Sequence, residues 1–249
     1  MGQNIAMPRL LAASTTPDIA LIDAALSPRV CRFIQTNLSV VSVPSVPEIR
    51  LHKANPKSGL WRLAKRDDDF DTPYWAYLWG GGLALARYVL DHPATVGGCR
   101  VLDLGCGSGL VGIAAAKSGA KEVIAADIDR YALAAATLNA ELNGVRLRPI
   151  LGDLTAGSPP AVDVILVGDL FYEQHLARAV ATFFDRCFQS NITILIGDPG
   201  RAFLPRERLR LLAEYPGCDF ADAHRAERTR NAVFSLRARL GAPTAQTIC

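Results

Sequence analysis

One short stretch constrains the fold more than any other. It is Val101-Leu-Asp-Leu-Gly105-Cys-Gly107-Ser-Gly109, followed by an Ala-rich run over 110–117. The apolar residues read as a buried strand, the glycines as a tight turn and the alanines as a helix. Glycine lets the backbone turn sharply and brings main-chain N–H groups close to a ligand. Downstream the pattern repeats. Strands are expected at 123–126, 147–151, 162–167 and 192–196, with helices at 130–142 and up to about 188. Such alternation predicts an α/β fold built on a parallel, doubly wound sheet. A helix is expected at 206–214, then two weaker strands near 220–225 and 233–237. These two lack a long crossover, so they should form an antiparallel edge. Upstream, helices are expected at 19–26, 29–37 and 83–91, and strands at 38–43 and 48–52. Residues 65–69 read as an exposed charged loop, and 1–16 and 240–249 as loose ends.

Composition narrows the class. Half of the 249 residues are apolar and a fifth are charged, which excludes disorder as the dominant state. No apolar run reaches the roughly 18 residues of a membrane span, so no membrane partner is expected. The net charge is +3 with no basic block, so no nucleic-acid partner is expected either, and the chain is expected to be a monomer. Cys31, Cys99, Cys106, Cys187, Cys218 and Cys249 show no C-x-x-C and no metal-like spacing. Reduced thiols and no metal are the expectation. Asp18 and Asp23 interrupt the apolar stretch near the start, which argues against a secretory signal. The expected location is therefore the bacterial cytoplasm, with the mitochondrial matrix as the alternative.

Two ligands compete for the glycine turn. Gly107-Ser-Gly109-Leu-Val-Gly112 matches the dinucleotide fingerprint G-x-G-x-x-G. Asp103, two residues before the first glycine, points elsewhere. A carboxylate there would crowd a pyrophosphate. It suits a ligand carrying an ammonium and a sulfonium, as S-adenosylmethionine does. A turn that only packs helix on sheet is the third reading. Asp127, 22 residues after Gly105, ends the second strand, where a carboxylate can accept hydrogen bonds from ribose hydroxyls. Asp153 follows the third strand, where a polar side chain can meet an adenine edge.

The fourth strand runs into Gly168-Asp-Leu-Phe-Tyr-Glu173. Ligands of doubly wound sheets bind beyond the carboxyl ends of the strands, which puts Asp169 and Tyr172 beside the transferred group. The blander readings are a helix N-cap for Asp169 and core packing for Tyr172. Tyr74, Trp75, Tyr77 and Trp79 precede a glycine triplet, and such a cluster either lines a site or seals a domain edge. None of His52, His92, His175 and His224 has a base-like or ligand-like neighbour in sequence.

Asp103-Leu-Gly-Cys-Gly-Ser-Gly109, Asp127 and Asp153 resemble the cofactor motifs of the seven-β-strand S-adenosylmethionine-dependent methyltransferases. The resemblance implies a Rossmann-like sheet of order 3-2-1-4-5-7-6 with one antiparallel strand, carried by a methyltransferase domain over 73–239. Residues 1–72 are expected to form an N-terminal extension. It also implies that Asp127 binds ribose, that Asp153 and Leu154 meet the adenine region, and that Asp103 and the Gly105–Gly109 turn, with Cys106 and Gly107, follow the methionine part. Trp79, Ile128 and Gly168 complete the implied cofactor site. Asp169-x-x-Tyr172 is similar to the acidic-x-x-aromatic motif of methyltransferase family 16, and the segment from Pro73 to Tyr88 to that family's tryptophan–glycine motif, with Gly80 where a Pro is usual. Thr137-Leu-Asn-x-Glu-Leu-Asn143 and Ile196-Gly-Asp-Pro-Gly-Arg201 sharpen the likeness toward the members that methylate the electron transfer flavoprotein β-subunit. What this implies is a metal-free protein-lysine N-methyltransferase that leaves S-adenosylhomocysteine. Asp169 and Tyr172 would be catalytic, and Tyr74, Trp75, Phe171, Asp198 and Arg201 would bind substrate. The rivals are a methyltransferase of another protein, nucleic-acid or small-molecule amine, and a non-catalytic nucleotide-binding module.

Overall fold

The computed structural model describes residues 27–65, 70–217 and 230–237. The glycine-turn unit appears where the sequence puts it. Strand β3 (Arg100–Leu104) turns through Gly105–Gly109 into helix α4 (Leu110–Lys117). Gly105, Gly107 and Gly109 all take positive φ, at 67°, 51° and 79°, a region closed to most side chains. Strand β4 (Glu122–Asp127), helix α5 (Arg130–Leu142), β5 (Arg148–Leu151), β6 (Val164–Gly168), helix α6 (Gln174–Gln189) and β7 (Thr193–Asp198) follow. Strands β8 (Leu209–Pro216) and β9 (Arg230–Leu236) close one sheet of order β5-β4-β3-β6-β7-β9-β8. Numbered from β3, that is 3-2-1-4-5-7-6. Strand β9 runs antiparallel to both its neighbours and the other pairs are parallel.

Register decides where the site forms. Leu104 lies opposite Ala126 and Val167, Gly168 opposite Gly197, and Asp198 opposite Ala232. The carboxyl ends of β3, β4, β6 and β7 therefore finish level, and the loops after them meet along one edge of the sheet.

Core residues split by sheet face, as alternating strand side chains must. Val101, Leu166 and Leu195 face helices α3 (Gly80–Asp91) and α4, while Leu102, Ile165 and Ile196 face Phe183 and Phe184 of α6. The upstream segment is built into this core. Helix α1 (Pro28–Asn37), strands β1 (Ser39–Val43) and β2 (Val46–Lys53), and the short helix α2 (Trp61–Ala64) precede the aromatic stretch. Val43, Val46, Ile49 and Leu51 of the β1–β2 hairpin join the same apolar cluster as Leu85 and Ile113. Two asparagines fasten the hairpin to α5. Asn143 Oδ1 accepts the Arg50 N–H, and buried Asn139 Oδ1 accepts the His52 N–H at 2.8 Å. Asn139 Nδ2 also donates to the Ser108 carbonyl in the glycine turn, so hairpin, helix and turn are tied at one side chain.

Three expectations change. Helix α3 begins at Gly80, not at Leu83, because the glycine triplet is its first turn. The helix expected at 206–214 is a single 3-10 turn (Arg206–Arg208) followed by β8. Its residues bond across the ladder to β9, and that long-range pairing outweighs local helix propensity. The helix expected at 19–26, the strand near 220–225, the loose ends and residues 66–69 of the charged loop lie outside the described residues.

Candidate active site

The glycine turn and the end of β4 are joined by Asp127. Its Oδ2 accepts the Gly107 N–H at 2.9 Å and its Oδ1 the Asp129 N–H at 3.0 Å. Desolvation raises its pKa above its ordinary value, and those backbone donors oppose the rise. Next to it Ile128 is 70% exposed, an apolar surface beside a carboxylate. Asp129 caps α5 through the Tyr131 N–H, and burial pushes its pKa up to about 7.

Asp103 is buried at the end of β3 and accepts the Gly112 N–H at 2.8 Å. Desolvation lifts its pKa to about 7. Cys106 contributes only backbone to the turn, since its thiol packs with Ala125, Leu133 and Ala136. Asp153 closes the 3-10 turn Leu154–Ala156, accepting from the Thr155 N–H and hydroxyl, while Leu154 packs against the α6 side of the core. These features form a cradle of left-handed glycines with a carboxylate at the end of β4, an exposed aliphatic surface and a buried carboxylate. They fit S-adenosylmethionine better than a pyrophosphate, for which Asp103 supplies charge of the wrong sign.

Asp169 sits just past β6 with φ 57°, a left-handed conformation that Asp tolerates better than most residues. Its side chain is not the N-cap of the following helix, which Glu173 precedes without a side-chain cap. Instead Asp169 Oδ2 accepts the Gly82 N–H at 3.0 Å, capping the first turn of α3 from across the structure. Gly81 makes this approach feasible. A Cβ there would collide with the Gly197 carbonyl and with the Asp169 carboxylate. The other oxygen, Oδ1, accepts from Arg201 Nη2 at 2.8 Å and Nε at 3.2 Å. Asp169 is thus a paired and enclosed carboxylate, its side chain 7% exposed.

Arg201 also covers Trp79, its Cζ 5.6 Å from the ring centre. Trp79 Nε1 donates to the Tyr74 carbonyl, and Tyr74 lies 5.6 Å from Trp79 and 5.9 Å from Tyr172, centre to centre. Tyr74 and Tyr172 are 49% and 43% exposed, so the cluster opens to solvent. Desolvation pushes the Tyr172 hydroxyl up to about 12, which keeps it a neutral phenol.

Three expected substrate contacts lie elsewhere. Phe171 is fully buried and meets Phe184 edge-on. Trp75 is 3% exposed and packs in the cluster of Tyr131 and Ala135. Each neighbours an exposed tyrosine, and the chain direction turns one ring out and the next in. Asp198 is fully buried; its Oδ1 accepts the Gly200 and Arg201 N–H groups, and its Oδ2 has no partner. It shapes the turn that delivers Arg201. Asn139, Gly81 and Gly197 lie inside motifs read from the sequence but carried no role there, since their contacts are with residues far along the chain.

A family model for ribosomal protein L11 methyltransferase (PrmA) matches residues 85–170. Electron transfer flavoprotein beta subunit lysine methyltransferase of Mus musculus is 39% identical over 201 residues, covering 78% of this chain and 79% of its own. The protein of that name from Danio rerio is 42% identical over 181 residues, covering 72% and 70%. This chain belongs to that lysine methyltransferase family. A homolog from Caenorhabditis elegans is 34% identical, covering 66% of this chain and 74% of its own. These animal relatives overturn the expected bacterial cytoplasmic location. The expectation rested on reduced thiols and a missing secretory signal, which do not distinguish one reducing compartment from another.

Proposed function

We infer that this chain is an S-adenosylmethionine-dependent protein-lysine N-methyltransferase whose substrate is the electron transfer flavoprotein β-subunit. The observation that carries this reading is identity of 38–42% with electron transfer flavoprotein beta subunit lysine methyltransferases over most of both chains. The site chemistry agrees with it. S-adenosylmethionine, when bound, supplies an electrophilic methyl group with a neutral leaving group, so no general acid is needed. Asp127 and Ile128 would hold its ribose and adenine side, and the Gly105–Gly109 turn and Asp103 its methionine side.

The chain's own task is to deliver an unprotonated, aligned amine. Removing the proton from a lysine of pKa near 10.4 costs roughly 4–5 kcal/mol at neutral pH. The Asp169 carboxylate and the faces of Trp79, Tyr74 and Tyr172 attract and orient the arriving ammonium. The proton then leaves to water, and alignment contributes several kcal/mol of the barrier reduction. No dedicated base is required. In this reading the enzyme acts as a monomer on a folded protein, with neither nucleic acid nor membrane as partner.

Intact-mass analysis of purified flavoprotein β-subunit, incubated with the chain and S-adenosylmethionine, tests the assignment. The expected result is stepwise addition of methyl groups at lysine. An unmodified β-subunit, alongside methylation of another protein under the same conditions, would remove this substrate.

A further inference from the structure

The cation position of this site is already filled. Resting on the lysine methyltransferase reading, we propose that Arg201 is a specificity residue. Its guanidinium occupies, before substrate arrives, the place between Asp169 and Trp79 that the substrate ammonium must take.

An alkylammonium seeks a carboxylate and an aromatic face. Arg201 has both, at 2.8 Å from Asp169 Oδ1 and 5.6 Å from the centre of the Trp79 ring. The other carboxylate oxygen is engaged by the Gly82 N–H, and Asp169 is almost wholly enclosed. Two cations do not fit on this carboxylate. The arrangement is built at the backbone. Asp198 Oδ1 holds the N–H groups of Gly200 and Arg201 at 2.6 and 2.7 Å, and Arg206 Nη2 donates to the Gly200 carbonyl at 3.0 Å. Gly200 takes φ 100°, where a side chain would be strained. The root of Arg201 is therefore fixed, and in this proposal it is the long side chain, 19% exposed, that swings aside for substrate.

A tethered cation competes at an effective concentration in the millimolar range or above. Free lysine offers only its ammonium and loses that contest. A folded protein adds contacts with the exposed rings of Tyr74 and Tyr172, and this remote binding makes displacement of Arg201 favourable. Discrimination against free lysine then follows from the internal competitor itself.

The test is titration of n-butylammonium into the full chain saturated with S-adenosylhomocysteine, followed by NMR. Arg201→Met should bind this probe about tenfold more tightly than the wild type, the scale set by one charge-assisted hydrogen bond. Arg201→Lys, which keeps a tethered cation, should stay near the wild type. Adding Asp169→Asn to Arg201→Met should erase the gain. In kinetics, Arg201→Met should lower KM for free lysine while leaving its advantage in kcat small. Should Arg201→Met fail to fold, Arg201→Gln makes the same comparison. Equal n-butylammonium affinities in wild type and neutral variant, with the flavoprotein still methylated, would overturn the role of Arg201 alone. A wild-type chain that methylates no lysine would instead remove the enzymatic reading.

Discussion

Three carboxylates at the sheet edge differ in what surrounds them, and their behaviour should differ accordingly. Among the described residues the Asp127 carboxylate accepts from backbone N–H groups, those of Gly107 at 2.9 Å and Asp129 at 3.0 Å among them, and in the proposed reading its remaining lone pairs would take ribose hydroxyls. Asp127→Ala should weaken S-adenosylhomocysteine binding by about 1–3 kcal/mol in a folded protein, read by calorimetry. Asp103 has no ion pair among the described residues, and burial lifts its pKa to about 7 against an ordinary 3.8. Because the folded value is the higher one, its contribution favours the fold fully below pH about 4 and is lost as pH rises through 7. A ligand ammonium beside it would favour the ionised form. Cofactor affinity should therefore rise between pH 6 and 8, in the range of the raised pKa, with proton release on binding. Calorimetry in buffers of different ionisation enthalpy detects that release, and its absence places the ammonium elsewhere. Asp169 is the paired one. Asp169→Asn keeps an oxygen for the Gly82 N–H but loses the charge that holds a cation. Turnover should fall at least about tenfold with cofactor affinity unchanged. A wild-type rate in steady-state assays would reduce Asp169 to a cap for α3.

At the scale of elements, helix α3 is the part that makes the site possible. Its glycine-rich first turn lets the helix backbone rest on β6 and β7 at Gly168 and Gly197. A Cβ on Gly168 would stand 3.0 Å from the Gly82 Cα, and one on Gly81 has no room at all. Larger side chains at this contact would push α3 off the sheet and pull Gly82 from Asp169. Gly81→Ala should destabilise the fold by about 1–3 kcal/mol or more in urea unfolding, despite the better helix propensity of alanine. An unchanged midpoint would mean that the helix slides without loss. The correction at β8 belongs to the same scale. Leu209, Leu211 and Leu212 look helical beside arginines, yet pairing with β9 is what completes the sheet.

For the whole molecule, the upstream hairpin, α5 and the glycine turn share Asn139 and one apolar cluster, so residues 39–53 belong to the same cooperative unit as the cofactor cradle. The mouth of the site is aromatic and exposed at Tyr74 and Tyr172, with its cation already inside. This geometry favours a large substrate over a free amino acid. With labelled S-adenosylmethionine and an extract containing folded flavoprotein, label should appear on protein, and free lysine should remain a poor acceptor. Efficient labelling of free lysine would contradict the need for remote contacts.

Local chemistry alone determined a good part of this. The strand, glycine turn and helix from Val101 to Lys117 follow from apolar patterning and positive-φ glycines, which neighbours in sequence impose on one another. The alternation that yields a parallel sheet, and the positions of Asp127 and Asp169 at strand ends, were legible for the same reason. What only the tertiary structure decided depends on residues brought together from afar. Asp169 meets Arg201 32 positions later and Gly82 87 positions earlier, and no local pattern encodes either meeting. The same holds for the aromatics. Trp75 and Phe171 point into the core while their neighbours Tyr74 and Tyr172 are exposed, because α5 and α6 cover one side of each turn and, among the described residues, the other side is left open. Residue type marks an aromatic as able to bind or to pack, and which it does is settled by what the fold places against it.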